Sequence, residues 1–300
     1  MFQLIAEILS ILAPAALLAC IGVIWTRLGL EFPIAFISTL VVNVGLPALL
    51  FYTLASSTVD LGMLGAIALA TLCVHFAFTI IAFVLLKQAG KDWRLCIAHV
   101  VGNTGNLGLP VCYFAYGEAG LTYAMAFFAV QCLLLFSIGE AVLSASASIK
   151  PALRSPILHA VWLGMLVRYM DWSLPEFFMN TTMLLGQLVI PLMLITLGVS
   201  LARMSIKSLP STIRWSLVRT GVALAVGFSV ANLFGLEGVA RGVLIIETVV
   251  PVAVFNFLLA VRHNRDSDEV SELILVTHLA AIIYLPVLLG FLLAGQVTLH

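Results

Sequence analysis

Ten stretches of about twenty apolar residues follow one another along this chain of 300 residues. A helix needs about 20 apolar residues to cross the ~30 Å hydrocarbon layer of a bilayer. Only 9% of the residues are charged and the mean hydropathy is +1.17, whereas soluble domains carry about 25% charged residues. The sequence therefore predicts an all-α membrane protein with ten transmembrane helices. Their predicted bounds are Ile5–Trp25, Pro33–Leu54, Leu61–Leu86, Leu95–Tyr116, Leu121–Leu143, Leu153–Met170, Met179–Ala202, Trp215–Phe234, Val239–Val261 and Val270–Leu293.

The positive charges fall mostly on one side of this topology. The odd-numbered loops hold 12 Lys and Arg residues, Arg219 among them, and the even-numbered loops hold 2, Arg168 and Arg241. Because Lys and Arg collect in cytoplasmic loops, this bias favours ten spans over a rival count of nine. It predicts a multi-pass protein of the plasma membrane, the inner membrane of a bacterium, with both termini extracytoplasmic.

Prolines recur at a nearly constant distance in the two halves of the chain. The separations are 142, 144 and 141 residues, for Pro14 with Pro156, Pro47 with Pro191, and Pro110 with Pro251. Five spans per half is an odd number, so the two halves must have opposite orientations. The sequence thus predicts a five-plus-five inverted repeat, with residues 1–146 as the first unit, 147–152 as a short cytoplasmic connector and 153–300 as the second unit.

The fourth and ninth predicted spans each contain helix-breaking residues. Residues 102–110 read Gly-Asn-Thr-Gly-Asn-Leu-Gly-Leu-Pro, and Pro251 interrupts the ninth span. Proline removes a backbone donor and clashes with the carbonyl four residues earlier, and an unpaired backbone group in lipid is costly. Placing the two breaks against each other solves this problem and creates a polar spot inside the membrane. Paired interruptions of this kind indicate the binding site of a secondary transporter.

The predicted site suits an anion. A helix that restarts after a break presents free N–H groups and about half an elementary positive charge, which favours a carboxylate. No Lys or Arg lies in the middle of a predicted span, so we expect helix ends and side-chain amides, rather than arginine, to hold the anion. For each amide the alternative is a purely structural hydrogen bond. The candidate substrate-binding residues are Asn103, Asn106, Gln131, Pro110, Pro251 and Asn256.

Two carboxylates lie inside predicted spans beyond the first turn, and we expect each to be protonated or partnered because a charged side chain there costs at least ~2.5 kcal/mol. Glu247, four residues before Pro251, is a candidate for binding a coupling proton or sodium ion, with a structural hydrogen bond as the alternative. Glu140 is a second coupling-ion candidate, or it extends to the cytoplasmic surface. Intramembrane histidines can relay protons, but helix-to-helix hydrogen bonding is the more common role and is the expectation for His75, His99, His159 and His278.

The sequence lacks the motifs of the common enzymes, nucleotide-binding proteins and zinc proteins. It contains no H-E-x-x-H, G-x-S-x-G or G-x-x-x-x-G-K-[ST] motif, so we expect no enzyme and no bound nucleotide. The five cysteines lie in predicted spans without a C-x-x-C pair, so neither a disulfide nor a structural zinc site is expected. We expect no cofactor, no metal and no nucleic-acid partner, and we expect contact with membrane lipid.

Several motifs resemble the auxin efflux carrier (PIN-like) family of the bile/arsenite/riboflavin transporter superfamily. They are Asn103-Thr104 through Gly108-Leu109-Pro110, Gln131-Cys132, Pro191-Leu192-Met193, Leu197-Gly198-Val199-Ser200-Leu201 and Pro251-x-Ala253-x-x-x-Phe257-x-x-Ala260-x-x-x-Asn264. The resemblance runs nearly end to end. It implies that helices 4 and 9 are broken and cross within the inverted repeat, and that a carboxylate-bearing substrate binds near the crossing. It also suggests a homodimer.

The chain departs from the plant members of that family. It reads Ser155-Pro156-Ile157 where they have Asn-Pro-Asn, and it has Glu247 where they tend to have an amide. The bacterial branch, associated with small acids, is the better comparison. We therefore expect a secondary active transporter or facilitator of a small organic mono- or dicarboxylate, such as malonate or malate, or of an auxin-like acid, working by alternating access. The alternatives are a sodium/proton-type cation exchanger and a non-transporting membrane receptor or scaffold.

Overall fold

In a computed structural model, the described residues are 2–144, 153–205 and 208–297, and they are helical without a β-strand. The predicted connector at 147–152 lies outside them. The helices are α1 (Phe2–Arg27), α2 (Ile34–Leu40), α3 (Leu46–Ser56), α4 (Leu61–Gln88), α5 (Cys96–Val100), α6 (Leu109–Leu134), α7 (Glu140–Ser144), α8 (Pro156–Tyr169), α9 (Glu176–Gln187), α10 (Val189–Ala202), α11 (Leu209–Leu233), α12 (Gly238–Val249), α13 (Phe255–Arg262) and α14 (Ser267–Val297).

Seven helical stretches of the described residues are long and apolar enough to cross a bilayer: Ile5–Arg27, Ile34–Ser56, Leu61–Gln88, Thr104–Leu143, Glu176–Ala202, Leu209–Leu233 and Ser267–Ala294. The protein is therefore a multi-pass membrane protein. Thr104–Leu143 joins parts of the fourth and fifth predicted spans at Gly117, whose backbone is not helical (φ 63°, ψ −150°). The sixth predicted span contains the 14-residue helix α8, and the ninth is divided between α12 and α13.

The long outer helices expose apolar side chains, as contact with lipid requires, whereas α12 is buried. Large apolar side chains such as Phe76, Trp162 and Ile283 are exposed on the long outer helices. In α12, by contrast, every residue from Ala240 to Val249 except Arg241 is buried. The outer helices present apolar side chains to hydrocarbon, and α12 is enclosed by the rest of the protein. The polar residues of α12 must consequently find partners within the protein.

Glycines allow α1 and α10 to pack backbone to backbone. A Cβ atom added to Gly198 would lie 1.9 Å from the carbonyl oxygen of Ala19, and one added to Gly22 would lie 2.1 Å from that of Ile195. Small residues at such contacts are the usual means of close helix association in membranes. The same device brings Gly164 of α8 against α3, where an added Cβ would meet the Phe51 carbonyl oxygen at 3.0 Å.

Two prolines follow short π-helical turns. Val41–Gly45 precedes Leu46-Pro47, Thr104–Gly108 precedes Leu109-Pro110, and both segments read Asn-x-Gly-Leu-Pro. Proline clashes with the carbonyl four residues earlier in a regular α-helix, and the wider π turn removes that clash. Pro110 therefore marks a π turn in a continuing helix. The non-helical residues of the fourth span are 101–103, seven positions earlier, so Pro110 and Pro251 do not occupy matching places.

Candidate functional site

The two interruptions are joined through their backbones. The chain is non-helical at Val101–Asn103, before the π turn, and at Val250–Val254, between α12 and α13. Gly102 and Val252 form an isolated antiparallel bridge. The Asn103 N–H donates to the Pro251 carbonyl over 2.7 Å, and the Ala253 N–H donates to the Val101 carbonyl over 3.1 Å. Each interruption thereby satisfies backbone groups of the other, which their own helices cannot do.

The helical segments beside the interruptions pair crosswise. In α13, Asn256 Nδ2 donates to the carbonyl oxygens of Ala98 (3.3 Å) and Val101 (3.0 Å), at the end of α5. In α12, Glu247 packs against Gly108 and Cys112, which follow the first interruption. The segment before each interruption therefore contacts the segment after the other one.

Asn103 lies within the first interruption and is buried. Its Nδ2 donates to Nε2 of His278 over 3.0 Å, and Nδ1 of His278 lies 2.8 Å from the Ile274 carbonyl oxygen. A carbonyl can only accept, so Nδ1 carries the proton and Nε2 is free to accept from the amide. His278, on α14, thus fixes the orientation of the Asn103 amide. No sequence pattern distinguishes this histidine from the other three intramembrane histidines.

Gln131 and Thr277 hold the interruptions from the neighbouring helices. Gln131 Nε2 donates to the Gly102 carbonyl (3.0 Å) and to Thr104 Oγ1 (2.7 Å), and its Oε1 lies 3.4 Å from His75 Nε2. On the other side, the Val252 N–H donates to Thr277 Oγ1 over 3.2 Å. Both interruptions are therefore tied to side chains that surround them as well as to each other.

The six predicted substrate residues do not all reach the same place. Asn103 and Pro251 lie in the interruptions, and Gln131 and Asn256 donate hydrogen bonds to the first one. Asn106 is half-buried in the π turn, and Pro110 is buried at the start of α6. The structure thus brings four of the six together and leaves these two on the segment that follows.

The side chain of Glu247, a residue of α12, is enclosed between its own helix and α6. Its residue exposure is 1%, and the Cys112 thiol donates to Oε1 over 3.7 Å. Oε2 has no hydrogen-bond partner among the described residues. A Cβ atom on Gly108 would lie only 2.2 Å from this oxygen, so the carboxyl group fits because residue 108 has no side chain.

Glu140 lies in a different cluster. Its carboxylate contacts Arg262 Nη1 at 3.2 Å and His263 Nε2 at 2.9 Å, where α13 ends. The structure does not bring Glu140 together with Glu247 or with the interruptions. Its surroundings fit the predicted alternative, in which the side chain reaches a polar end of the helices.

The charge count placed Arg219 with the loop residues, although it lies just inside the start of the predicted span Trp215–Phe234, and the loop assignment is wrong. Helix α11 begins at Leu209, so Arg219 lies nearly three turns into it and is 1% exposed. Its Nε donates to the His99 carbonyl and its Nη1 to the Val249 carbonyl, both over 3.1 Å. The expectation that no Lys or Arg lies in the middle of a span is therefore also wrong. These hydrogen bonds offset part of the cost of burying the charge.

One sequence signal could have revealed that Arg219 lies in the middle of a span. His75 and Arg219 are 144 residues apart, the same distance as Pro47 and Pro191. His75 is buried in α4 and contacts Gln131 at the first interruption. Applying the proline spacing to polar residues would have placed Arg219 in the middle of the eighth span rather than near its start, beside the second interruption.

A buried polar site at paired helix interruptions, within an apolar helical protein, is typical of membrane transporters. The chain belongs to the family described as "Membrane transport protein", whose sequence profile matches residues 33–149 and 140–289. The predicted resemblance to the PIN-like auxin efflux carrier family is thereby confirmed.

Two archaeal proteins are similar over most of their length. One is named "Uncharacterized transporter", from Methanothermobacter thermautotrophicus, and is 26% identical over 287 residues, covering 90% of this chain and 93% of that protein. The other is "Uncharacterized transporter MJ1031" from Methanocaldococcus jannaschii, 26% identical over 266 residues, covering 80% of this chain and 84% of that protein. Family and relatives support transport as the function, and their names specify no substrate.

Proposed function

We propose that the protein is a secondary active transporter or facilitator that moves a small organic anion across the plasma membrane by alternating access. The observation that carries the proposal is the buried backbone pairing of residues 101–103 with residues 250–254, surrounded by the amides of Asn103, Gln131 and Asn256. Each helix that restarts there directs N–H groups and a positive partial charge toward the interruption. A carboxylate is the ligand that suits this combination of amides and helix ends.

The proposal includes ten spans in a five-plus-five inverted repeat, residues 1–146 and 153–300, with helices 4 and 9 broken and crossing. Two spacings support it in addition to those of Pro14 with Pro156 and Pro47 with Pro191: His75 and Arg219 are 144 residues apart, and Gln131 and His278 are 147 apart. All four side chains contact an interruption or a residue that does. The proposed topology has both termini extracytoplasmic, and the proposed assembly is a homodimer.

In the proposed mechanism, the interruptions and their neighbours move against a scaffold formed by the first, second, sixth and seventh spans. The packing of α1 on α10 through Gly22 and Gly198 supports a rigid scaffold, because the two helices approach so closely there that not even a Cβ atom would fit between them. The edge-to-face contact of Phe51 with Phe178, ring centroids 5.5 Å apart, adds a link between α3 and α9.

The test is carboxylate flux through the purified protein in proteoliposomes. We expect saturable uptake of at least one labelled acid from a panel of malonate, malate, other small mono- and dicarboxylates and an auxin-like acid. The same acid should raise the midpoint of thermal unfolding, because a ligand that binds the folded state stabilises it. Stabilisation without flux would favour a receptor or scaffold, and sodium/proton exchange without carboxylate flux would favour the cation exchanger.

We further propose that Glu247 binds the coupling proton. A carboxylate buried without a cation partner is costly, so proton binding and release would be linked to movement of α12 against α6. We expect the variant Glu247→Gln to fold and to exchange carboxylate at equal concentrations, but to lose the acceleration that an imposed pH gradient gives the wild-type protein. Glu237→Gln, at the exposed start of the same helix, is the matched control. A normal gradient response in Glu247→Gln would assign Glu247 a structural role.

A further inference from the structure

The side chain of Arg219 joins the ends of two interrupted helices. Its Nε binds the carbonyl of His99, in the last turn of α5, and its Nη1 binds the carbonyl of Val249, the last residue of α12. The Tyr284 hydroxyl donates to the same Val249 oxygen over 2.9 Å. One residue of α11 therefore supplies donors to both helices that stop at the site.

The charge of Arg219 suits these partners. The C-terminal end of a helix carries up to about half an elementary negative charge, and here two such ends lie within reach of one guanidinium group. Arginine stays protonated in proteins and offers several donors in a fixed plane. No Asp or Glu of the described residues forms an ion pair with Arg219, and its guanidinium carbon lies 5.8 Å from the centroid of the Phe78 ring. Helix ends and carbonyl dipoles therefore balance its charge.

The third nitrogen of the group points at the first interruption. Nη2 is buried and has no hydrogen-bond partner among the described residues. It lies beside Gly102, where an added Cβ atom would be 3.5 Å from it and 3.0 Å from Val250 Cγ2. The positive charge thus extends to the point where the two backbones pair.

Freed carbonyls and half-helix C-terminal ends are the groups with which secondary transporters coordinate a coupling sodium ion or proton. We propose that Arg219 is the built-in cation of this site, and that its guanidinium group replaces a bound sodium ion at these carbonyls. This inference rests on the proposed transport function. It makes Arg219 a positioning residue: it holds α5 and α12 together so that the restarting helices face the substrate, and carboxylate flux then requires no sodium at this place.

The experiment compares Arg219→Ala with Arg214→Ala, an exposed arginine of the same helix. Purified proteins are measured in choline chloride, in sodium chloride of equal ionic strength, and in choline chloride with millimolar methylguanidinium. The readouts are the midpoint of thermal unfolding and carboxylate flux in proteoliposomes. We expect neither readout to change with sodium in the wild-type protein or in Arg214→Ala. In choline, Arg219→Ala should lose at least tenfold in flux and unfold at a lower temperature, and sodium or methylguanidinium should reverse part of both effects.

Three results would overturn the proposal: a wild-type protein that needs sodium for flux or is stabilised by it, an Arg219→Ala variant equal to wild type in choline, or a folded Arg219→Ala variant that responds to neither sodium nor methylguanidinium.

If Arg219→Ala does not fold, Arg219→Lys takes its place, because lysine keeps the charge without the planar fork. We expect reduced flux that is still independent of sodium, and a sodium requirement in this variant would also contradict the proposal. Loss of the proposed transport function would appear separately, as a wild-type protein that no carboxylate stabilises, whereas the cation effect on Arg219→Ala does not depend on carboxylate.

Discussion

Replacing Asn103 by alanine reduces carboxylate flux to the background level while the protein remains folded. The change removes an amide from the centre of the first interruption and leaves Nε2 of His278 without its donor. A hydrogen bond to a charged group contributes about 1.5–3 kcal/mol, so loss of a direct substrate contact predicts roughly 10- to 150-fold weaker binding, in addition to any loss of orientation. The measurements are initial uptake in proteoliposomes and the substrate-induced shift of the unfolding midpoint.

The matched control is Asn43→Ala. Asn43 occupies the position in its Asn-x-Gly-Leu-Pro segment that Asn106 occupies in the π turn after the first interruption, and its exposed amide donates to the Thr39 carbonyl, over 2.9 Å. Flux within about twofold of wild type is expected there, because a local, exposed hydrogen bond contributes at most about 1 kcal/mol. Normal flux and normal substrate affinity in Asn103→Ala would remove the proposed site from the first interruption.

The variant Gly198→Ala strongly destabilises the protein by forcing α1 and α10 apart. The new Cβ atom would lie 1.9 Å from the carbonyl oxygen and 2.7 Å from the carbonyl carbon of Ala19, which are backbone atoms that no side-chain rotation can move. Overpacking of this kind typically costs about 1–3 kcal/mol and sometimes more. We expect one of the largest decreases in the midpoint of thermal unfolding of any single methyl addition in the chain, measured in detergent at a fixed heating rate.

Gly221→Ala is the control for the same chemical change. Residue 221 lies within α11, and an added Cβ atom there meets no other atom within 4 Å. Alanine in a helix interior is favoured over glycine by about 0.5–1 kcal/mol, so the midpoint should stay or rise slightly. Equal midpoints for Gly198→Ala and the wild-type protein would show that the α1–α10 contact is looser than described and would weaken the rigid-scaffold part of the mechanism.

Pro110 and Asn103 show how much of the first interruption can be predicted from the local sequence. Proline is incompatible with a regular helix, which is a local property, so the sequence correctly indicated irregular backbone near residues 102–110. Whether a proline ends a helix or is accommodated by a π turn depends on the hydrogen bonds available to the freed carbonyls. The carbonyls of Val101 and Gly102 accept such bonds from the Ala253 N–H and from Gln131 Nε2, which are distant in the chain. The position of the interruption within the segment therefore could not be predicted from local rules.

Arg219 is a residue whose burial the local sequence did not indicate. In a hydropathy count, an arginine ten residues into α11 cannot be distinguished from one at the end of a loop. Its burial is tolerated because His99 and Val249, 120 and 30 residues away, present carbonyl oxygens to it.

The amino-acid sequence by itself determined that this protein is helical and embedded in a membrane, because the cost of placing polar groups in lipid depends mainly on composition along the chain. It also located the polar segment that contains Asn103. Only the tertiary structure decided which backbone groups pair across residues 102 and 252, where the carboxyl group of Glu247 fits, and why a guanidinium group can lie in the interior. Each of these depends on atoms brought together from separate helices, and the free energy of such contacts is not a property of any one segment.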